Sequence, residues 1–221
     1  MSSIDAAGAP HSRARRRFTP ATGTGVGVTA VTAAAVVPIP LPPLESVAAT
    51  LVGHSSFVRA LAVVFDGTLA SGSLDKTVRL WDVGARVCVA TLTHAATITG
   101  LAVLANGRLA SGSADGTIRL WDVATRACVD VLDWHTGHVG ALAALSDGRL
   151  ASGSSSTTIL VWDTRPAAVA AAAAGGGAAR ATPAVVLEEH SSAYYALQPL
   201  PGGRLASEWN ETVRLWHLPP L

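Results

Sequence analysis

The chain has 221 residues, 49% of them hydrophobic, and a formal net charge of +1. That is enough apolar matter for a core, and too little charge for a global pull toward nucleic acid or a membrane surface. Two cysteines, Cys88 and Cys128, make no disulfide framework.

Charge is unevenly spread, at +3 over residues 1–44 and −2 over the remainder. Residues 1–45 hold Arg13, Arg15, Arg16 and Arg17, then an Ala/Thr/Gly/Val stretch and the run PIPLPPL. The apolar part is too short and too rich in Gly and Thr to span a bilayer, and it lacks the order of a signal peptide. Three readings are open: a disordered low-complexity tail, an Arg-rich organelle-targeting peptide, and a basic nucleic-acid or nuclear-import patch. The first needs least, because small side chains bury too little area to offset the entropy of ordering.

From residue 46 onward one pattern recurs. LASGSLDKTVRLWDV, starting at Leu69, returns as LASGSADGTIRLWDV at Leu109, LASGSSSTTILVWDT at Leu150 and LASEWNETVRLWHL at Leu205. A period near 40 residues marks units that must stack to bury a core. Within one period, Val58 to Val64, Leu69 to Ser73, Thr77 to Trp81 and Val87 to Leu92 alternate or carry β-branched residues as strands do. The pairs Asp66-Gly67, Asn106-Gly107, Asp147-Gly148 and Gly202-Gly203 read as turns, as does Asp75-Lys76. The units run over about 52–92, 93–132, 133–187 and 188–221.

A four-stranded unit of this length, with His near its start and Trp-Asp at its end, resembles the WD-repeat β-propeller family. Trp81-Asp82, Trp121-Asp122 and Trp162-Asp163 carry the family's dipeptide, Trp216 is followed by His217, and Gly53-His54 is the intact Gly-His pair. The resemblance implies an all-β propeller of four blades, each of four antiparallel strands. It also implies a hydrogen-bonded set in each blade running from a turn carboxylate through imidazole and hydroxyl to the indole N–H. By offset these are His54, Ser71, Asp75 and Trp81; His94, Ser111, Asp115 and Trp121; His135, Ser152 and Trp162; and His190, Ser207 and Trp216. Ser156 and Asn210 stand in the carboxylate slot of the last two units, and Ser73, Ser113 and Ser154 share the parity of the chosen serines.

Two arrangements of the array are open. Val47 to Leu51 matches the last strand of a unit and is able to complete the final blade, closing a ring. Alternatively the array is a partial propeller, since the family commonly has seven blades and four must meet at about 90° where seven meet at about 51°. The third unit carries an insertion over 165–182, rich in Ala and Gly and flanked by Pro166 and Pro183, that reads as a surface loop. The fourth departs most, as terminal repeats do, and brings Tyr194, Tyr195 and Trp209.

Histidine, serine and aspartate together suggest a nucleophilic triad, but they recur in register in successive units, which a single catalytic site does not require. The histidines lie about 40 residues apart, so no metal cluster forms from them; His135 and His138 at i, i+3 are the nearest approach. Cys88 and Cys128, in equivalent outer-strand positions, read as small buried hydrophobes. No catalytic residue, metal or cofactor is expected.

What remains is recognition. A rigid disc holds loop side chains in fixed positions, and Phe57, Arg59, Leu74, His138, Tyr195 and Trp209 are the side chains expected to face a partner. The function expected is a non-enzymatic scaffold or adaptor for other proteins. The alternative is a partial propeller that needs a second chain, including a second copy, or a remnant without activity of its own. Neither membrane nor nucleic acid is an expected partner, and the expected setting is intracellular, cytoplasmic or nuclear, with an organelle left open by the basic N-terminus.

Overall fold

A computed structural model describes residues 49–165, 182–188, 196–209 and 211–220. The N-terminal tail, nearly all of the 165–182 insertion, His190, Tyr195, Asn210 and the side chain of Trp209 lie outside the described residues. Four antiparallel sheets follow one another along the chain. Blade A comprises β1 (Val58–Val63), β2 (Leu69–Ser73), β3 (Thr77–Asp82) and β4 (Val87–Thr93). Blade B comprises β5 (Ile98–Val103), β6 (Leu109–Ser113), β7 (Ile118–Asp122) and β8 (Ala127–Leu132). Blade C comprises β9 (Val139–Ala144), β10 (Arg149–Ser154), β11 (Thr158–Asp163) and β12 (Val185–Glu188). Among the described residues blade D has three strands, β13 (Leu197–Leu200), β14 (Arg204–Trp209) and β15 (Thr212–His217).

Turn chemistry sets the hairpins. Between the first and second strands Gly67, Gly107 and Gly148 take φ of 86°, 83° and 87°, a left-handed conformation that glycine adopts without a Cβ penalty. The preceding Asp66, Asn106 or Asp147 accepts a hydrogen bond from the backbone N–H two residues on, at 2.8 to 3.1 Å. Between the second and third strands Lys76, Gly116 and Thr157 hold the positive φ.

The core lies between blades. One cluster joins Ala70, Val78 and Leu80 of blade A to Ile98 and Leu109 of blade B. A second joins Ala110, Ile118 and Leu120 to Val139 and Leu150 of blade C, and a third joins Ala151, Ile159 and Val161 to Leu205 of blade D. Each sheet is therefore apolar on both faces and needs a neighbour on each. At the far end Arg149, buried, is held by Asp147 at 2.6 Å and donates to the Pro219 carbonyl at 2.9 Å, tying the C-terminal segment to blade C.

Among the described residues the last sheet has three strands, and Ala49 to Leu51, the described part of the segment expected to supply a fourth, form no strand. The described array is unclosed, in keeping with a partial propeller. The cysteines also differ from expectation: both are free and exposed. They sit on β4 and β8, the outermost strands, opposite Trp81 and Trp121 beside a shift in register, where no next blade covers them.

Candidate functional site

The repeated serine–indole pair is the most regular feature of the blades. Trp81, Trp121, Trp162 and Trp216 donate their indole N–H to Ser71, Ser111, Ser152 and Ser207 at 2.7, 2.7, 2.8 and 2.9 Å. His54, His94 and His135 meet the first three hydroxyls through Nε2 at 2.7, 2.6 and 2.8 Å. These serines are buried, and a buried polar group needs such partners. The second serine of β2 and of β10 has another task. Ser73 and Ser154 accept the N–H of Asp75 and Ser156 and so hold the turn.

The carboxylate end of the set differs between blades. In blade A His54 Nδ1 meets Asp75 at 2.7 Å, completing a chain of four side chains. Burial alone raises the Asp75 pKa, but hydrogen bonds from Thr77, His54 and the Ser55 N–H outweigh it and hold the carboxyl well below its usual range. In blade B Asp115 takes the N–H and hydroxyl of Thr117 and does not reach His94, whose Nδ1 has no hydrogen-bond partner. In blade C the Thr158 hydroxyl lies 3.4 Å from His135 Nδ1. Burial, helped by the positive charge of Arg119 and opposed by Asp115, lowers the His94 pKa to about 4; burial likewise lowers that of His135 to about 4.

Three of the six side chains expected to face a partner meet at one end of the inner strands. Arg59, Leu74 and His138 line a single cavity of about 290 Å³ where blades A, B and C converge. Its construction follows the repeat. Leu74, Ala114 and Ser155 come from equivalent turns, and Arg59, Thr99 and Gly140 from equivalent positions on the inner strands. Each of the latter is the extra residue of a β-bulge, lying between Val58 and Ala60, Ile98 and Gly100, or Val139 and Ala141 where the register shifts. A bulge re-aims the side chain it carries, here those of Arg59 and Thr99 toward the cavity, while Gly140 lines it with backbone. Thr99 is fixed there by its hydroxyl, whose one proton is shared between the carbonyls of Gly112 and Val139.

Phe57 is exposed beside the cavity, its carbonyl accepting the Leu74 N–H at 3.0 Å. Thr97 and His138 accept from Ala114 and Ser155 in the same way, so the three side chains hold one register. Trp209 is not in the turn slot of Leu74. Its backbone ends β14 opposite Thr212, because the hairpin of blade D is one residue shorter. Thr97, Thr99, Ala114, Gly140 and Ser155 were not expected to line the site; their signal is the repeat itself, since adding one or two periods to Phe57, Arg59 or Leu74 lands on them.

Chemically the cavity mixes apolar surface with hydroxyls, one guanidinium and one imidazole. Neither the Arg59 guanidinium nor the His138 imidazole is hydrogen-bonded or ion-paired among the described residues. His135 turns the other way, into the blade toward Ser152, so the two imidazoles at i, i+3 serve different places. At the opposite end Phe65, Val103, Leu145 and Leu200 line an apolar cavity of about 460 Å³ without a titratable group. Among the described residues no helix is long and apolar enough to cross a membrane.

Comparisons with known proteins agree with this architecture. The model of the WD domain, G-beta repeat, matches residues 45–82, 86–122 and 126–163. WD repeat-containing protein 18 of Danio rerio is 51% identical over 41 residues, 18% of this chain and 10% of that protein. The Mus musculus protein of the same name is 42% identical over 52 residues, 23% of this chain and 12% of that protein. The matched stretch is thus about a tenth of those relatives. In fold, U3-55K superposes with a TM-score of 0.65 and 22% identity over 76% of this chain and 51% of its own. A chain of the Mitotic Checkpoint Complex does so with 0.62 and 25% over 75% and 49%. Repeats matched over half of the sequence, on sheets that superpose on known propellers, make this chain a member of the WD-repeat family.

Proposed function

We propose that the chain is a non-enzymatic scaffold or adaptor that docks a segment of a partner protein in the cavity between Arg59, Leu74, Thr99 and His138. The observation that carries this is the convergence of three bulged inner strands and three turns on one cavity with two uncommitted polar side chains. Proteins of this family bind other proteins, and one neighbour belongs to the Mitotic Checkpoint Complex; this chain is assigned the same kind of role. The guanidinium favours a partner segment with an acidic side chain, which it can hold by charge-assisted hydrogen bonds, while Leu74 and Phe57 offer apolar anchorage. A hydrolytic role has no support from the serines, which are buried and committed to indole and imidazole. An intracellular setting is proposed as well, because exposed, unpaired cysteines suit a reducing compartment.

The test is quantitative capture of partners by wild type, Arg59→Glu and His138→Asp. The account predicts that both variants lose the same partners, by about tenfold or more in affinity, as expected of central interface residues. Their melting temperatures stay at the wild-type value, because neither side chain is used in folding. Unchanged partners with unchanged folding reject the cavity as the docking face.

A second reading is favoured by the unclosed array. Val58, Leu61 and Val63 on β1 and Val213 and Leu215 on β15 are apolar and exposed at the two ends, and apolar surface of this kind marks an interaction site. On that reading a second chain completes the propeller.

A further inference from the structure

Adjacent blades pack by one repeated contact. The first residue of an inner strand, Ile98 or Val139, sits over a glycine in the second strand of the preceding blade. A Cβ on Gly72 would lie 2.5 Å from Ile98 Cγ2, and one on Gly112 would lie 2.7 Å from Val139 Cγ1. Leu101 and Leu142 come to 3.5 and 3.4 Å of the same two positions. Any side chain larger than hydrogen there displaces the incoming blade, because interiors pack too densely to absorb it.

Val58 and Leu61 hold those registers in blade A, with Leu61 opposite Ser71 as Leu101 is opposite Ser111. Among the described residues no blade precedes them: Val58 is 46% exposed, Leu61 65% and the neighbouring Val63 66%. At the other end Val213 and Leu215 are 69% and 60% exposed, whereas their counterparts Val78 and Leu80 are covered by the next blade at 0% and 1%. One residue spoils the match between the ends. Glu208 pairs with Val213 as Gly72 pairs with Val78, so an exposed carboxylate stands where glycine receives the incoming strand.

We propose that the open face of blade A, formed by Val58, Leu61 and Val63, docks one blade of another polypeptide whose second strand carries glycine directly after its buried serine. Glu208 bars this chain's own blade D from serving as that blade. The proposal rests on the second reading above and names the occupant. Its support is continuity with a contact that the chain already makes at Gly72 and Gly112. Without the barrier the two ends would be complementary head to tail, and such contacts run on into rings or filaments. A carboxylate buried at that contact without a partner is costly enough to prevent it.

The test uses full-length chains as probes. In the donor, Glu208–Val213 is replaced by the blade B sequence Gly112–Ile118, and Leu61→Arg disables the donor's own β1 face. A second donor carries only Glu208→Gly with Leu61→Arg, which keeps the test valid where the longer exchange does not fold. The control carries Leu61→Arg alone. Sedimentation of each with wild type is expected to show a one-to-one complex for the donors, about tenfold or more tighter than for the control. The complex disappears when the receiving chain also carries Leu61→Arg. Folded donors that bind no better than the control overturn the occupant, and wild type that assembles by itself through Leu61 overturns the barrier. The underlying reading fails separately: unmixed wild type that is a compact monomer with cooperative unfolding needs no second chain. Donor failure beside a wild type that melts without cooperativity removes the occupant alone.

Discussion

Trp162→Ala is expected to destabilise the array by about 3–5 kcal/mol, the range for truncating a large buried aromatic side chain. Trp162 is among the largest fully buried side chains, packs in the cluster between blades B and C, and donates its indole N–H to Ser152. The substitution opens a cavity between two sheets and leaves a buried hydroxyl with one partner fewer. Since a domain of this size loses about 2–4 °C per kcal/mol, the melting temperature should fall by about 6 °C or more. Trp216→Ala removes the equivalent bond from a half-buried position in the last blade, and is expected to cost about 1–2 kcal/mol, less of the side chain being withdrawn from water. Thermal unfolding of the two variants checks the order. Equal losses would show that the inter-blade clusters do not hold the array together.

Acidification provides the second large effect. His94 and His135 have pKa values near 4 in the folded chain against 6.5 for an unperturbed imidazole. The unfolded chain therefore binds more protons between these values, and stability falls as pH drops from about 6.5 to about 4. One unit of separation corresponds to about 1.4 kcal/mol, so each histidine accounts for about 3–4 kcal/mol across the whole window. Below it Asp75 acts in the same direction, its folded-state pKa being lower than 3.8: the stability it contributes is present above that value and lost as pH falls further. Denaturant unfolding at pH 7.0, 5.5 and 4.5 should give a steady decline. The double variant His94→Gln, His135→Gln should start less stable and show a flatter profile. A wild-type profile level from pH 7 to 4.5 would contradict neutral, buried imidazoles.

Much of this fold was legible because the sequence measures each strand several times. β1 to β11 fall within a residue or two of the segments marked by alternation, and the positive φ of Gly67, Gly107 and Gly148 is what Asp-Gly and Asn-Gly pairs require. Residues with equal parity were not separable: Ser71 and Ser73 face the same side, and only three-dimensional geometry gives the first to the indole and the second to the turn. Equal spacing also hid a difference in bonding. Asp75 and Asp115 lie six residues before their tryptophans, yet the second is taken by Thr117 and leaves His94 Nδ1 unpaired. The cysteines misled because alternation reports a side chain's face, not whether a neighbour covers it. The cavity was half legible. Arg59, Leu74 and His138 were identifiable one by one, but their meeting depends on bulges that no residue type announces.

The account depends on that convergence serving a partner protein. A photo-crosslinking amino acid in place of Leu74, at the cavity, and in place of Val129, exposed on the outer strand of blade B, tests it most directly. The prediction is that bound partners cross-link from position 74 and not from position 129, and that Arg59→Glu removes the signal. Cross-links that form from position 129, with none from position 74, would place docking elsewhere and contradict the account.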